Sequence, residues 1–503
     1  MPKSKNIDLV SSRYKTAIAR PQLSRPLQFA ARHGFLAGQY SVFDYGCGRG
    51  HDVAILDVGG IDVSGWDPHY KKDSEIKSAD LVNLGYVLNV IDSRDEREET
   101  LAEAYALAEV LLVVSVLIEG YSDAHMGERY GDGVITETGS FQKYFGIEEA
   151  KAFLEEVVGQ EAFPVAKGIF FIFKDKIEEQ RFLSQKHKRK TDIEHLLTLA
   201  PPSEDSHSWS DWVAFQEHKT ILSDLWRRMV VLGRLPAKSE LTADIISYIE
   251  THFGSIRKAA KVAQCGFDST EILAAREARI NDLKVYFALN LFNRRQSYST
   301  LPDELQRDVN VFFSSYTEAI DVGRKLLFSV ADTELIGEEC VSASRNGIGV
   351  LDGDHSFQFH RDLLADLPTV LRVYVGCAEK LYGTSDECDL IKIHIGSGKV
   401  TFLEYENYDS SALPRLINRF KVNLREQSME HYVYGEIYPQ LLYMKSSYMK
   451  SSQKGYSKQM KFDKKLIGLN LFDFSNFGPS CEDFHKELES LGLCVQGWNI
   501  HKK

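Results

Sequence analysis

The sequence has 503 residues with 43% hydrophobic and 26% charged residues, values typical of a globular protein of about two to four domains. No apolar run reaches the roughly 20 residues needed to cross a bilayer, and the start at Met1 is too polar for a signal peptide, so we expect a cytoplasmic protein without membrane contact. The seven cysteines are scattered and contain no C-x-x-C pair, which argues against a disulfide framework and against a metal site.

The net charge of −12 excludes a surface that is basic throughout, but the charge is uneven. Residues 1–40 contain seven Lys or Arg and one acid, and residues 440–465 contain seven Lys and one acid. Such stretches can face phosphate groups, or they can be ordinary solvated surfaces. Tyr443, Tyr448 and Tyr456 lie among the later lysines and favour nucleic acid as the partner, because aromatic rings stack on bases.

The first element is a basic N-terminal segment, residues 1–40, with a predicted helix over 24–33 that ends at Gly34. Within it, Arg13 and Lys15 are candidate contacts to an anionic substrate. A role in surface salt bridges is an equally good interpretation.

A glycine-rich turn follows the first predicted strand. Val42 and Phe43 are β-formers that lead into Asp44, and glycines then occupy alternate positions. Because such glycines let the backbone approach a ligand where a Cβ would collide, the turn predicts a binding site. Its candidate residues are Asp44, Gly46, Cys47, Gly48 and Gly50. A tight structural turn in another kind of α/β sheet is the alternative.

The residues beyond the turn indicate which ligand it binds. After a predicted helix over 51–58, a second strand ends at Asp67 and Pro68, about 20 residues past the turn, where an acid can bind ribose hydroxyls. A dinucleotide site requires G-x-G-x-x-G, whereas D-x-G-x-G-x-G resembles the first motif of class I S-adenosylmethionine (SAM) methyltransferases. SAM is cationic at its amino and sulfonium groups, which suits Asp44. Residues 69–77 are polar where a third strand is expected.

The next strand leads into Asn83, Leu84, Gly85 and Tyr86, at the edge where open α/β sheets place reactive groups. Amino-methylating DNA enzymes carry [DN]-P-P-[YFW] here, with hydrogen-bond acceptors for the target amine and a ring that stacks on the base. Asn83 and Tyr86 are therefore candidate catalytic residues, and Asn83 and Leu84 are also candidate cofactor contacts. The alternative is the V-L-x-x-[VI] pattern of small-molecule methyltransferases. Asn89, which stands where such enzymes often have His, is a candidate substrate contact.

Ser93 opens a helix over 94–108 with a capping box. Tyr130 and Lys143 lie where methyltransferases often have a lid, and both are candidate substrate contacts. The remaining elements of this domain are predicted strands over 110–117 and 168–173 and a predicted helix over 148–158. The resemblance to class I methyltransferases implies a Rossmann-like sheet of about seven strands that closes near Asp175.

A basic linker over 181–208 separates this domain from a predicted helical domain over 209–330. Within the latter, 254–263 resembles the middle of a helix-turn-helix unit, although an ordinary helical hairpin is the simpler interpretation.

The last part of the chain, 331–503, has a mixed pattern. It contains a predicted helix over 361–367 and strands over 390–395 and 399–405. Residues 396–399 resemble part of a phosphate loop, but a hairpin turn fits better. A nuclease core is a further hypothesis that solvated strand faces explain as well; it rests on Asp389, Lys392, Glu404 and Glu406.

Several stretches together point to a family. They are 13–18 (RYKTAI), 44–50 (DYGCGRG), 65–68 (GWDP), 82–91 (VNLGYVLNVI), 130–133 (YGDG), 390–394 (LIKIH), 398–402 (GKVTF) and 419–422 (RFKV). This set resembles the methyltransferases associated with bacterial DNA phosphorothioation systems, over nearly the whole chain. The resemblance implies a SAM-dependent, DNA-linked role in bacterial defence or DNA modification, with other defence-system proteins as partners.

The predicted architecture is α/β: a Rossmann-like class I methyltransferase domain over 41–180, a mostly helical domain over 209–330 and a small α+β domain over 331–503. We expect a SAM-dependent methyltransferase that acts on DNA, at a base amino group. One alternative is a non-catalytic SAM-binding sensor or scaffold of a defence complex, which the broken Asn-Pro-Pro-Tyr pattern favours. Another is a methyltransferase of RNA, protein or a small molecule.

Overall fold

The computed structural model of the chain describes residues 13–17, 20–119, 127–189, 209–292, 297–434, 440–474 and 478–502. The chain divides into two units. The first combines Met1–Phe182 with Ala331–Leu364 and Tyr374–Lys503, and the second combines Leu183–Val330 with Ala365–Val373. None of the helices within the described ranges has both the length and the apolar character needed to span a bilayer.

The N-terminal part of the first unit contains a six-stranded sheet in the order β2-β1-β3-β4-β9-β8 and a small sheet of β5, β6 and β7. The strands are β1 (Val42–Tyr45), β2 (Val63–Trp66), β3 (Ala79–Gly85), β4 (Ala108–Ser115), β5 (Gly127–Tyr130), β6 (Gly133–Thr136), β7 (Phe141–Gln142), β8 (Ala162–Ala166) and β9 (Ile169–Phe173). The helices are α1 (Arg25–Arg32), α2 (His51–Val58), α3 (Arg94–Leu107), α4 (Ile147–Val158) and α5 (Lys176–Lys186).

The strands β2, β1, β3 and β4 run in parallel, whereas β9 is antiparallel to β4. The carboxyl ends of the parallel strands therefore meet at one edge, as the prediction of a Rossmann-like domain requires. Residues Leu111 to Val114 and Ile169 to Phe173 are at most 1% exposed, so both faces of the sheet centre are covered. This burial explains why β4 and β9 are continuous apolar runs in the sequence.

The prediction of about seven strands was wrong by one, because the sheet has six among the described residues. Residues 67–78 contain turns and irregular backbone where a third strand was expected, and they are mostly polar, without the run of apolar side chains that a strand buries. As a consequence, β2 is an edge strand on the side of the glycine turn.

The second unit is helical. Its helices are α6 (Trp209–Glu217), α7 (Lys219–Leu232), α8 (Ala243–His252), α9 (Ile256–Ala263), α10 (Ser269–Asn290), α11 (Asp303–Phe312) and α12 (Tyr316–Ser329). At the stretch that resembles a helix-turn-helix unit, Gly254 has a φ of 75° and Ser255 Oγ accepts a hydrogen bond from the Lys258 amide at 3.3 Å. These two residues end α8 and start α9. Of the predicted linker, residues 190–208 lie outside the described ranges.

The C-terminal part contains an antiparallel sheet in the order β10-β11-β12-β13-β14-β15. Its strands are β10 (Val350–Asp352), β11 (Ser356–His360), β12 (Leu390–His394), β13 (Lys399–Glu406), β14 (Arg415–Asn423) and β15 (Ser428–Val433), with a hairpin of β16 (Leu493–Gln496) and β17 (Asn499–Lys502). The helices are α13 (Thr333–Arg345), α14 (Thr369–Tyr382), α15 (Tyr456–Gly468) and α16 (Cys481–Ser490). The predicted helix over 361–367 is a 3₁₀ helix, Arg361–Asp366. The longer helix α14 begins after Pro368, because proline is compatible with a helix start.

The hairpin interpretation of 396–399 is confirmed, because His394 pairs with Lys399 across β12 and β13. The hypothesis of a nuclease core finds no support. Glu404 ion-pairs with Lys167, and Lys392 ion-pairs with Asp352 at 3.6 Å. No group of three or more His, Cys, Asp and Glu in the part of the chain that the structure describes could hold a metal ion.

Candidate functional site

The glycine turn between β1 and α2 has the backbone that the sequence predicts. Gly46, Gly48 and Gly50 have φ values of 81°, 52° and 78°, which side-chain-bearing residues rarely adopt. A Cβ added to Gly46 would lie 2.4 Å from Cγ2 of Val87. Gly46 is therefore required both for its conformation and for the close approach of the loop after β3.

Asp44 and Asn83 face each other on neighbouring strands, β1 and β3, and both are almost completely buried. Asn83 Nδ2 donates a hydrogen bond to Asp44 Oδ1 at 2.8 Å. Burial raises the pKa of Asp44 to about 7, although the hydrogen bond from Asn83 opposes the shift. Asn83 Oδ1 is buried and has no hydrogen-bond partner among the described residues. The pair therefore presents two acceptors to a donor from a ligand, and a cation would stabilise the ionised form of Asp44.

Asp67 fastens the end of β2 to the glycine turn. Its Oδ2 accepts a hydrogen bond from the Gly48 amide at 3.0 Å, and its Oδ1 accepts from the amides of His69 and Tyr70, both at 2.8 Å. A carboxylate has about four acceptor positions, so roughly one is left for a ligand hydroxyl. The prediction that Asp67 binds a ribose is compatible with this geometry for one hydroxyl, while its larger role is to hold the turn.

These residues surround a cavity of about 610 Å³, here called the first cavity. The predicted residues that line it are Arg13, Asp44, Gly46, Cys47, Gly48, Asp67, Pro68, Asn83 and Tyr86. The cavity lies at the carboxyl ends of β1, β2 and β3, where ligands bind in open α/β sheets.

Other predicted site residues are not among those that line the cavity. Leu84 is completely buried in the apolar core, because alternate residues of β3 point to opposite faces. Gly50 starts α2, and a Cβ there would lie 2.9 Å from Lys71 Nζ. Lys15 and Tyr130 are exposed, and Tyr130 lies on β5.

Asn89 and Lys143, two predicted substrate contacts, instead stabilise each other's loops. Asn89 is completely buried, its Nδ2 donates to the Lys143 carbonyl at 2.5 Å, and its Oδ1 accepts from the Leu117 amide at 3.1 Å. The Lys143 ammonium pairs with Asp132 at 3.2 Å and Glu149 at 2.8 Å. With these polar groups engaged, both residues have structural positions.

Residues 13–17, here called the N-terminal arm, form part of the wall of the first cavity. Arg13 ion-pairs with Asp92 and Glu96, each with an N–O distance of 2.8 Å, so the salt-bridge interpretation of Arg13 is the one that the structure supports. The ring of Tyr14 stacks on His69 with centroids 4.2 Å apart. The charge of Arg13 is therefore used to hold the arm and is not left for a substrate.

Tyr86 has an unusual backbone for a residue with a side chain, with a φ of 59°. Its amide donates to the carbonyl of Ser115 at 3.0 Å and to Ser115 Oγ at 3.1 Å, which holds the strained turn in place. Burial raises the pKa of Tyr86. Such strain often marks functional positions, and here it places the Tyr86 ring against the cavity.

Sequence reasoning missed the wall that α3 supplies. Glu96, Glu99, Thr100 and Glu103 line the cavity, and Glu103 accepts a hydrogen bond from the Tyr45 hydroxyl at 2.9 Å. The signal was present, because residues three and four apart share one face of a helix. These glutamates add to the carboxylates of Asp44 and Asp67 in a lining that also contains Arg13, Arg20 and Arg49.

No protein-family model matches the sequence, and neither does any curated protein. Among solved structures, a magnesium protoporphyrin IX methyltransferase from Synechocystis PCC 6803 with bound SAM is 13% identical, with a TM-score of 0.22, over 33% of this chain and 92% of that one. A SAM-bound amino pentose methyltransferase from Micromonospora echinaspora is 15% identical, with a TM-score of 0.25, over 33% of this chain and 95% of that one.

A third solved structure is the 1,6-didemethyltoxoflavin-N1-methyltransferase of Burkholderia thailandensis with bound S-adenosylhomocysteine. It is 17% identical, with a TM-score of 0.24, over 33% of this chain and 85% of that one. At TM-scores this low, the function has to be inferred from the cavity itself.

Proposed function

We propose that the protein is a SAM-dependent methyltransferase. The observation that carries the proposal is the buried pair of Asp44 and Asn83 beside the glycine turn. Asn83 Oδ1 is an acceptor without a hydrogen-bond partner in the described ranges. A ligand that satisfies this pair must bring N–H donors and positive charge, which the amino group of SAM does. The turn at Gly46 and Gly48 lets a ligand lie against the backbone, as the methionine part of SAM requires.

The residues of the first cavity have separate roles in this proposal. Asp44 and Asn83 hold the amino group, Asp67 accepts from one ribose hydroxyl, and Glu99 and Glu103 of α3 stabilise positive charge. Bound SAM supplies an electrophilic methyl group. The protein contributes orientation and the exclusion of water, because an in-line displacement is accelerated mainly by positioning. The arm held by Arg13 closes one side of the cavity.

The first test measures SAM binding by calorimetry and methyl transfer from labelled SAM to duplex DNA, single-stranded DNA, RNA and protein extract. We expect wild-type protein to bind SAM, and an Asn83→Ala variant to bind it about tenfold or more weakly. In the variant the buried amino group of SAM lacks the acceptor that Asn83 Oδ1 provides. The control is Asn310→Ala, which removes an exposed amide that donates to the Tyr298 hydroxyl. Absence of SAM binding by the wild type would contradict the proposal.

We further propose DNA as the acceptor, within a system linked to DNA phosphorothioation. The family resemblance of the sequence supports this role, and so does the surface of α15. Lys458, Lys461, Lys464 and Lys465 are exposed on this helix, and the Lys458 ammonium lies 3.8 Å from the ring centroid of Trp498. Among the described residues, none of the four lysines pairs with a carboxylate. Unpaired lysines beside an aromatic ring are suited to a nucleic-acid backbone and its bases.

Salt dependence tests this surface. Wild-type affinity for DNA should fall steeply as the salt concentration rises. In a plot of the logarithm of the binding constant against the logarithm of salt concentration, each phosphate contact contributes about 0.9 to the slope. Neutralising the four lysines of α15 to Gln should reduce the slope by as much as about three to four. The matched control neutralises Lys72, Lys77, Lys325 and Lys486, which are exposed elsewhere. Equal slopes for both variants would remove α15 as the DNA surface.

The outcome of the transfer assay separates the alternatives. If the label enters RNA, protein or a small molecule and not DNA, the labelled molecule is the acceptor instead of DNA. SAM binding without transfer to any acceptor, also in the presence of defence-system proteins, would favour the non-catalytic sensor or scaffold.

A further inference from the structure

A second cavity of about 480 Å³ lies beside the first. Both are lined by Tyr86, Arg20 and Ser24, whereas Leu117 and Gln142 line the second and not the first. Tyr86, with its strained backbone, is thus placed where the two cavities meet. A molecule in the second cavity would be next to whatever occupies the first.

Two buried side-chain oxygens at the second cavity have no hydrogen-bond partner within the described residues. Ser24 is only 3% exposed, and its Oγ has no hydrogen-bond partner among the described residues. The buried Oε1 of Gln142 is likewise unsatisfied within them. Buried polar atoms are nearly always hydrogen-bonded, so two orphaned oxygens at one cavity indicate a ligand with N–H or O–H groups.

The positive charge at this cavity comes from Arg20. Its guanidinium is 6.0 Å from the centroid of the Tyr86 ring, and no hydrogen bond or ion pair connects it to a carboxylate in the described ranges. The other arginine of the cavity, Arg25, is already paired with Glu387. An unpaired guanidinium binds phosphate or carboxylate oxygens well.

The second cavity also has an apolar lining. It comprises the ring of Tyr86 and the side chains of Pro21, Leu23, Val90 and Leu117. Aromatic and aliphatic walls with a few polar groups are typical of sites that hold a planar ring with polar edges. The ligand should therefore combine a planar heterocycle, N–H donors and an anionic group.

We infer that the second cavity binds the acceptor as a single nucleotide unit, with its heterocycle beside Tyr86 and its phosphate at Arg20. This inference rests on the proposed function. A nucleotide of a duplex must leave the base stack to reach such a cavity, so single-stranded and mismatched DNA should bind more tightly than fully paired DNA.

The test measures binding of deoxyadenosine and deoxycytidine, of their 5′-monophosphates, and of a single-stranded dodecanucleotide to the full-length protein. For the wild type we expect each monophosphate to bind about ten- to a hundredfold more tightly than its nucleoside, the effect of one charge-assisted hydrogen-bond pair. In Arg20→Gln this ratio should fall to near one. Gln142→Leu should weaken nucleoside and nucleotide by a similar factor. The control is Arg345→Gln, at an exposed arginine of α13.

Comparison of the two affinities shows whether the cavity prefers a free nucleotide or a nucleotide that is part of single-stranded DNA. Unchanged affinities in both Arg20→Gln and Gln142→Leu would overturn the inference, as would a wild type that binds neither the nucleotides nor the dodecanucleotide. Binding of SAM and methyl transfer are measured on the same samples. If both persist while nucleotide binding is insensitive to the variants, the proposed function stands and the inference fails. If the wild type does not bind SAM, the proposed function fails. Nucleotide binding by the wild type and the two variants then shows whether the second cavity is a nucleotide site.

Discussion

Replacing Asp44 by asparagine is expected to weaken SAM binding by about a hundredfold or more at pH 8, because it removes one partner of a buried, hydrogen-bonded charge pair. The substitution keeps the shape of the side chain and an acceptor for Asn83 Nδ2. Loss of affinity would therefore report the missing charge and not a collapsed cavity. Calorimetric titration with SAM measures it, and Asp73→Asn, at an exposed aspartate, is the control.

The same variant should differ from the wild type in its pH dependence. Burial raises the pKa of Asp44 to about 7, so the folded protein favours the protonated acid. Above pH 7 the ionised Asp44 destabilises the ligand-free fold, and stability is regained as pH falls from about 7 toward the ordinary pKa. Asn does not titrate, so the variant without ligand should have the higher melting temperature at pH 8.

SAM affinity should respond in the opposite direction. In the wild type it should fall about tenfold per pH unit below pH 7, because the cationic amino group requires ionised Asp44. In Asp44→Asn it should not change over this range. A wild-type affinity that is flat between pH 5.5 and 8.5 would contradict the role of Asp44.

Lys167→Met should destabilise the first unit by about 3 to 5 kcal/mol, the cost of removing one partner from a buried ion pair. Lys167 lies between β8 and β9 and pairs with Glu404 of β13, and both side chains are less than a tenth exposed. Glu404 also accepts from the Tyr382 hydroxyl at 2.8 Å and from Asn418 Nδ2 at 3.0 Å. In the variant the carboxylate keeps these neutral donors and loses its cation.

Thermal unfolding checks this prediction. A Lys167→Met, Glu404→Gln double variant should recover part of the stability. Lys77→Met, at an exposed lysine, is the control and should leave the melting temperature unchanged. A double variant no more stable than Lys167→Met would show that the cost is not that of an unpaired charge.

Local sequence signals predicted the elements that position the site. Glycines at alternate positions after β1 predicted the turn, because only glycine adopts the φ values found at Gly46, Gly48 and Gly50 at little cost. Ser93 predicted the start of α3, and its Oγ accepts from the Glu96 amide at 3.3 Å. Asp44 and Asn83 were identifiable because each occupies a buried parallel strand near its carboxyl end.

The tertiary structure decided which side chains reach the cavity. Arg13 is 83 residues from Glu96 in sequence, and only the fold shows that the arm closes the first cavity through this ion pair. Asn89 and Lys143 have residue types suited to substrate binding, yet their polar groups are engaged with the protein itself. Sequence spacing specifies local backbone conformation, whereas the partner of a polar side chain depends on contacts between distant segments. The second cavity also depends on contacts between distant segments, because α1, β7 and the loop after β3 line it together.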